Sequence, residues 1–309
     1  MISISTTLAL VSAGCSTPPK IVRTDPEIER NVAVARGAYT AGSAKKAAGY
    51  YQKALQRARV TDSSLEIGRN AYNLAACLAT LQSYNTAQAC LDEARLEFQR
   101  AGITCQELPL LEAKISRAQG RSPEAARLAR AELKKTAAAG GPTGATRVQW
   151  HLLLAELLCD KGQAIDADAE IAAIKTKHLQ HCGDDIRAEL ALTRARIQML
   201  KRNPQAAAPQ YDSAARHWQA AGRYNDMASA LEQAGHAYEE AGNSPKSVDR
   251  YYRAARSLFE SGQTAQANTL VGRALPLATA SHQPDLQRQV ERLKAEIDRQ
   301  TQKSPTSSK

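Results

Sequence analysis

Aromatic residues make up only 5% of the 309 positions, with two Trp and two Phe. A core so poor in rings must be filled by Leu, Ile, Val and Ala, and strand formers are correspondingly scarce. Ala, Leu, Gln, Glu, Arg and Lys dominate, which favours helix. Beyond the N-terminus there is no apolar run of about 18 residues, so no transmembrane helix is expected. Acidic residues are in the minority: 41 Lys and Arg stand against 31 Asp and Glu, a net charge of +10 and a pI near 9.4. That excess suits either an anionic partner or solubility. The six cysteines form no complete framework. With Cys15 set apart, Cys77, Cys90, Cys105, Cys159 and Cys182 remain, an odd number that cannot all pair. Cys77, Cys90 and Cys159 stand at small-residue positions of helical patterns, where a free thiol behaves as a small hydrophobe.

Catalytic signatures are equally scarce. No H-E-x-x-H and no G-x-S-x-G occurs. "GAYTAGSAK", Gly37 to Lys45, has the outline of a phosphate-binding loop, but Ser43 stands where the lysine is needed, and the stretch follows a helical pattern rather than a strand. It reads as a turn, as does "GGPTG" from Gly140 to Gly144. The one metal-like cluster is His178, His181, Cys182, Asp184 and Asp185. His178 and Cys182 share a helix face, yet a helix C-terminus also favours His through its dipole, so the cluster reads first as structural. No cofactor is expected, and no enzyme activity.

Small residues recur instead. "AGHAYEEAGNSPKSVDRYYRAA", Ala234 to Ala255, holds two amphipathic stretches around a turn at Gly242. Leu231, Ala234, Gly235 and Tyr238 mark the first, and Ser247, Tyr251 and Ala254 the second. The second-helix anchor returns at Ala47, Ala87, Ala125, Ala167, Ala207 and Ser247, with spacings of 40, 38, 42, 40 and 40. Turns are predicted near positions 42, 82, 120, 162, 202 and 242, with half-period turns at Ala101-Gly102, Cys182-Gly183 and Ala221-Gly222. A helix of about 17 residues and a short turn accounts for each half-period. Small residues three and four apart share a helix face and let antiparallel helices approach. One hairpin cannot bury its apolar face alone, so hairpins stack.

These positions resemble the tetratricopeptide-repeat (TPR) pattern from residue 28 to about 280. The period is forty rather than ~34, and the proline that usually ends each repeat is missing. The resemblance implies an all-α, right-handed solenoid of about 14 antiparallel helices over residues 28–302, followed by a disordered tail at 303–309. It also implies a concave groove lined by first-helix residues where a protein or peptide docks. Carried onto this chain, the groove takes in Arg36, Tyr39, Arg69, Tyr72, Lys114 and Arg117, then Glu156, Asp160, Arg196, Met199, His236, Glu239 and Glu240. Its first half is basic, so an acidic segment is the candidate partner. Nucleic acid is not expected.

The N-terminus carries a second resemblance. "MISISTTLALVSAGC" has no charge, and its apolar run Leu8-Ala9-Leu10-Val11 leads through small residues to Cys15. Ala13-Gly14-Cys15 is similar to the end of a bacterial lipoprotein signal, with Ser12 where Leu is usual and no basic start. The resemblance implies removal of residues 1–14, a lipid on Cys15, a polar linker at 15–27, and membrane attachment in the bacterial cell envelope. The combination is similar in kind to assembly lipoproteins of the β-barrel machinery and to pilotins. Two alternatives stand beside it: a cytoplasmic TPR regulator or chaperone adaptor, and a metal-binding helical protein centred on His178 and His181.

Overall fold

The computed structural model describes residues 25–135, 141, 144–180, 182–281 and 283–303. The expected leader, Cys15, most of the linker and all but the first residue of the tail lie outside them, as does His181. Among the described residues the fold is all-α, with no strand. The helices are α1 (Pro26–Thr40), α2 (Ala44–Val60), α3 (Ser64–Thr80), α4 (Tyr84–Arg100), α5 (Glu107–Ala118), α6 (Ser122–Lys134), α7 (Gly144–Asp160), α8 (Ala164–Ala172), α9 (Thr176–Leu179), α10 (Asp184–Leu200), α11 (Pro204–Ala220), α12 (Tyr224–Glu240), α13 (Ser244–Glu260), α14 (Thr264–Ala280) and α15 (Pro284–Lys303). Among the described residues fifteen helices are found where about fourteen are expected; the extra one is the single turn of α9.

Nine of these helices are 17 residues long, and three connecting residues follow most of them. That sum is the twenty-residue half-period. The middle connecting residue is left-handed: Gly42, Gly102, Gly162, Gly222, Gly242 and Gly262 have positive φ, and Gly120 does after the shorter α5. At each, the following N–H reaches back five residues, as from Ser43 to the Ala38 carbonyl at 2.8 Å and from Asn243 to the Tyr238 carbonyl at 2.8 Å. This double-bonded termination satisfies carbonyls that the helix end would leave open. Asp62, Gln82 and Arg202 take the same role without being glycine, at φ 50°, 61° and 56°.

One expected turn is different. Gly183 is extended (φ −67°, ψ 169°) and precedes α10, so Cys182-Gly183 is a helix entry. The preceding second helix, α8, spans only nine residues. It carries Asp166, Asp168 and Glu170 with no cation of its own in its last turn, and Lys201 of the turn after α10 pairs with Asp168 at 2.6 Å.

The chain forms two compact units. One comprises the described residues up to Leu157 together with the segment beginning at Lys175; the other comprises Leu158–Ile174 and the described residues from Cys182 onward. Within each, consecutive helices pack against one another. The first unit has a core running from Ile28 in α1 to Ile115 in α5, and a further cluster joining α5 and α6 to Trp150, Leu153, Leu154 and Leu157. In the second, α10 to α15 share a core that ends on Val290, Leu293 and Ile297.

All six second-helix anchors, Ala47, Ala87, Ala125, Ala167, Ala207 and Ser247, have 0% exposure. First-helix residues at the same period, Ala35, Ala75, Ala155 and Ala195, are as completely buried. The next member of that series is Gly235, where a Cβ would stand 2.8 Å from the Tyr251 ring; only glycine fits under this tyrosine.

The left-handed positions yield a paired prediction. Gly242→Ala should destabilise the protein by about 1 kcal/mol, because a Cβ is strained at positive φ. Arg202→Gly should be neutral to stabilising by up to ~1 kcal/mol, as relief of strain competes with added unfolded-state entropy. Urea midpoints measure both, and a clear loss of stability in Arg202→Gly would contradict the assignment.

Candidate functional site: the first-helix faces

A 17-residue helix that buries its small residues in a crossing turns its long side chains to other sides. In the first unit, Arg36 is exposed on α1, and Tyr39 is half-buried one turn further. On α3, Arg69 is half-buried, and its Nη1 donates to Glu66 Oε1 at 2.9 Å. Tyr72 is buried at 8% exposure, and its phenol is held well above the ordinary value, first by burial and then by Cys105 and Glu107. On α5, Lys114 is half-buried. Arg117 is only 8% exposed and is ion-paired with Glu156 of α7.

Arg117 therefore departs from the expected row of open cations. Its charge is compensated inside the fold by Glu156, itself an expected groove residue. Tyr72 departs likewise, as a core side chain. Arg36, Tyr39 and Arg69 remain at the surface of this unit.

In the second unit, Arg196 of α10 donates to Asp160 Oδ1 at 2.9 Å. Met199 packs on the cluster of Ala195, Ala207 and Tyr211. On α12, His236 lies 3.2 Å from the Glu240 carboxylate. Glu239 accepts from the Tyr251 hydroxyl at 2.8 Å and from Arg273 Nε at 3.1 Å, and Arg273 lies over the Tyr251 ring at 5.2 Å. A second arrangement of this kind was not read from the sequence. Asp212 accepts from the Tyr238 hydroxyl at 2.9 Å and from Arg250 Nε at 2.6 Å, and Arg250 lies 5.6 Å from the Tyr238 ring centre. The available signal was an acid and an arginine at nearly one repeat's separation, Asp212 to Arg250 and Glu239 to Arg273.

Among the described residues no group of three or more His, Cys, Asp and Glu is placed to hold a metal, and His181 lies outside them. Asp184 pairs with His217 Nδ1 at 2.8 Å, and the Asp185 carboxylate accepts from the Ile186 N–H. "GAYTAGSAK" is the end of α1, the Gly42 turn and the start of α2. Cys77, Cys90, Cys105, Cys159 and Cys182 are in no disulfide among the described residues. No helix among the described residues is long and apolar enough to cross a membrane.

No protein-family model and no curated protein matches the chain. Among solved structures it is similar to a Rap protein complexed with competence and sporulation factor, at 14% identity over 88% of this chain and 77% of that one, with a TM-score of 0.50. The likeness is one of fold. With the hairpins and their buried small residues, it makes the fold an all-α, TPR-like helical repeat.

Two predictions follow from the buried groups. Arg117→Met leaves the partly buried Glu156 without its ion pair and should cost about 2 kcal/mol, whereas Arg117→Met with Glu156→Leu should recover at least half of that. Urea denaturation of the single and double variants decides it. The second concerns pH. Burial pushes the Cys77 thiol from 9.0 to about 12; burial, then Glu107, does the same for Cys105. Tyr211 and Tyr238 rise from 10.0 to about 12, chiefly by burial. Groups kept protonated by the fold lend stability that is complete below their unfolded pKa and lost as pH rises through the folded one. Melting temperature should therefore fall between about pH 9 and 12, and a flat profile there would contradict the burial of these groups.

Proposed function

We propose that the protein is a non-catalytic interaction scaffold of a bacterial cell envelope, anchored by a lipid on Cys15 after loss of residues 1–14. One observation carries the scaffold reading. The small anchors, among them Ala35, Ala75, Ala155 and Ala195 on first helices, are fully buried in helix crossings, so the opposite faces of those helices offer solvent a set of charged and aromatic side chains. Such a surface loses little conformational entropy when it binds. Arg36, Tyr39 and Arg69 suit an acidic protein or peptide segment, and Glu239, Glu240 and His236 give the second unit a face of a different character. The Rap protein of similar fold was seen in complex with competence and sporulation factor, which supports uptake of a partner by the repeats. The anchor rests on Ala13-Gly14-Cys15 and the polar stretch after it.

Ser12, standing where the lipoprotein pattern usually has Leu, favours a second reading, a cytoplasmic regulator or chaperone adaptor in which Cys15 is an ordinary residue. The mass of the N-terminal peptide in the native host separates the two: lipidated Cys15 supports the anchored scaffold, and an intact, unmodified N-terminus supports the regulator. For the binding face, Arg36→Glu with Arg69→Glu should weaken capture of the co-purifying partner, and wild-type capture should fall as salt rises. Each exposed charge contributes only ~0.2–1 kcal/mol, so the effect is collective. Equal recovery of the partner by wild type and variant at low salt would remove this face from the account.

A further inference from the structure

The repeat register permits one groove to be compared with its own counterpart. Pro204 stands 160 residues after Ala44, Tyr224 after Ser64 and Ser244 after Tyr84, so α11, α12 and α13 repeat α2, α3 and α4 position for position. In both triplets two second helices flank a first helix. Between α2 and α4 the flanking helices are tied by a bidentate ion pair: Arg59 Nε donates to Glu93 Oε1 at 2.8 Å and Nη2 to Oε2 at 2.7 Å. The equivalent positions in the second triplet are Gln219 and Arg253, which cannot make that bridge. There the space is open, a cavity of about 290 Å³.

Its floor is apolar: Met227 and Leu231 of α12 and Ala215 of α11. Its rim is basic. Arg250 is tied to Asp212 at 2.6 Å, Arg253 is held loosely by Asp249 at 3.8 Å, and Arg216 is exposed with no ion pair among the described residues. Three arginines thus meet two carboxylates around an apolar floor. What the groove lacks is the carboxylate that Glu93 supplies in the first triplet.

We infer that the groove between α11 and α13 docks an acidic, amphipathic protein segment. A carboxylate of the segment takes the place of Glu93, between Gln219, Arg253 and Arg216, and a neighbouring apolar side chain covers Met227 and Leu231. This surface is separate from Arg36 and Arg69 and does not depend on the reading of the first-helix faces.

The test is fluorescence anisotropy with a fluorescein-labelled peptide of three Glu-Leu-Glu-Glu repeats, using the full chain at low salt. Gln219→Arg with Arg253→Glu installs the bridge of the first triplet, so it should close the groove while keeping the fold. The expected result is an affinity lower by about tenfold, because the carboxylate site is filled and its charge inverted, with the melting temperature kept or raised. Arg216→Ala is the milder second variant, with an expected loss of about threefold. Arg288→Glu, a charge reversal on α15, should leave binding of this probe unchanged. Full affinity in the bridged variant, or an equal loss in Arg288→Glu, would overturn the proposal.

Discussion

The close crossing of helices at alanine is the contact on which the rest of the structure depends. Ala47, Ala87, Ala125, Ala167, Ala207 and Ser247 have no exposed surface, and each lies on a second helix at nearly the same interval. A residue with one methyl group lets two backbones approach, and added methylenes have nowhere to go. The crossing also fixes helix rotation. Once the small face is turned inward, Tyr51, Leu91, Tyr211 and Tyr251 are carried into the core beside it, and the charged faces are carried out. The poverty in aromatic residues becomes intelligible on this basis, because a core built from near contact of backbones needs few rings to fill it.

The second constraint is length. A 17-residue helix closed by three residues, the middle one left-handed, sends the chain back at a constant interval. Where that length is kept, as in α2 to α4 and α11 to α13, repeats present equivalent positions in equivalent places, and differences between them become differences of surface chemistry. Arg59 and Glu93 close one groove where Gln219 and Arg253 leave another open. Glu239 gathers Tyr251 and Arg273 as Asp212 gathers Tyr238 and Arg250. A scaffold can vary its binding faces in this way without altering its core.

The features legible in the sequence were those written in residues with one strong physical preference. Glycine at 42, 102, 120, 162, 222 and 242 marked the left-handed turns, and small residues at a forty-residue interval marked the crossings. Asp62, Gln82 and Arg202 adopt the same backbone without a glycine to announce it, and only the period points to them. The shortened α8 and the single turn of α9 had no such mark, because no glycine or proline stands between Ala164 and Cys182 to announce them. Among the expected groove residues, Arg117 is the instructive case. Its position on the helix was read from the pattern, but its burial against Glu156 depends on which repeat lies beside it, and that is tertiary information. The open groove of the second unit was invisible for the same reason: it is defined by an ion pair present in one triplet and missing from its counterpart.

The proposal at the centre of this account is that the helical repeats of each unit hold a partner on exposed helix faces. Hydrogen–deuterium exchange of the protein alone and in its co-purified complex addresses it most directly. In the free protein the account predicts the slowest exchange around the buried alanines, at a similar level in successive hairpins. In the complex it predicts added protection concentrated on the first helices Pro26–Thr40 and Ser64–Thr80 and along the walls of the groove between Pro204–Ala220 and Ser244–Glu260. Protection spread evenly over the chain, or confined to Pro284–Lys303, would contradict it.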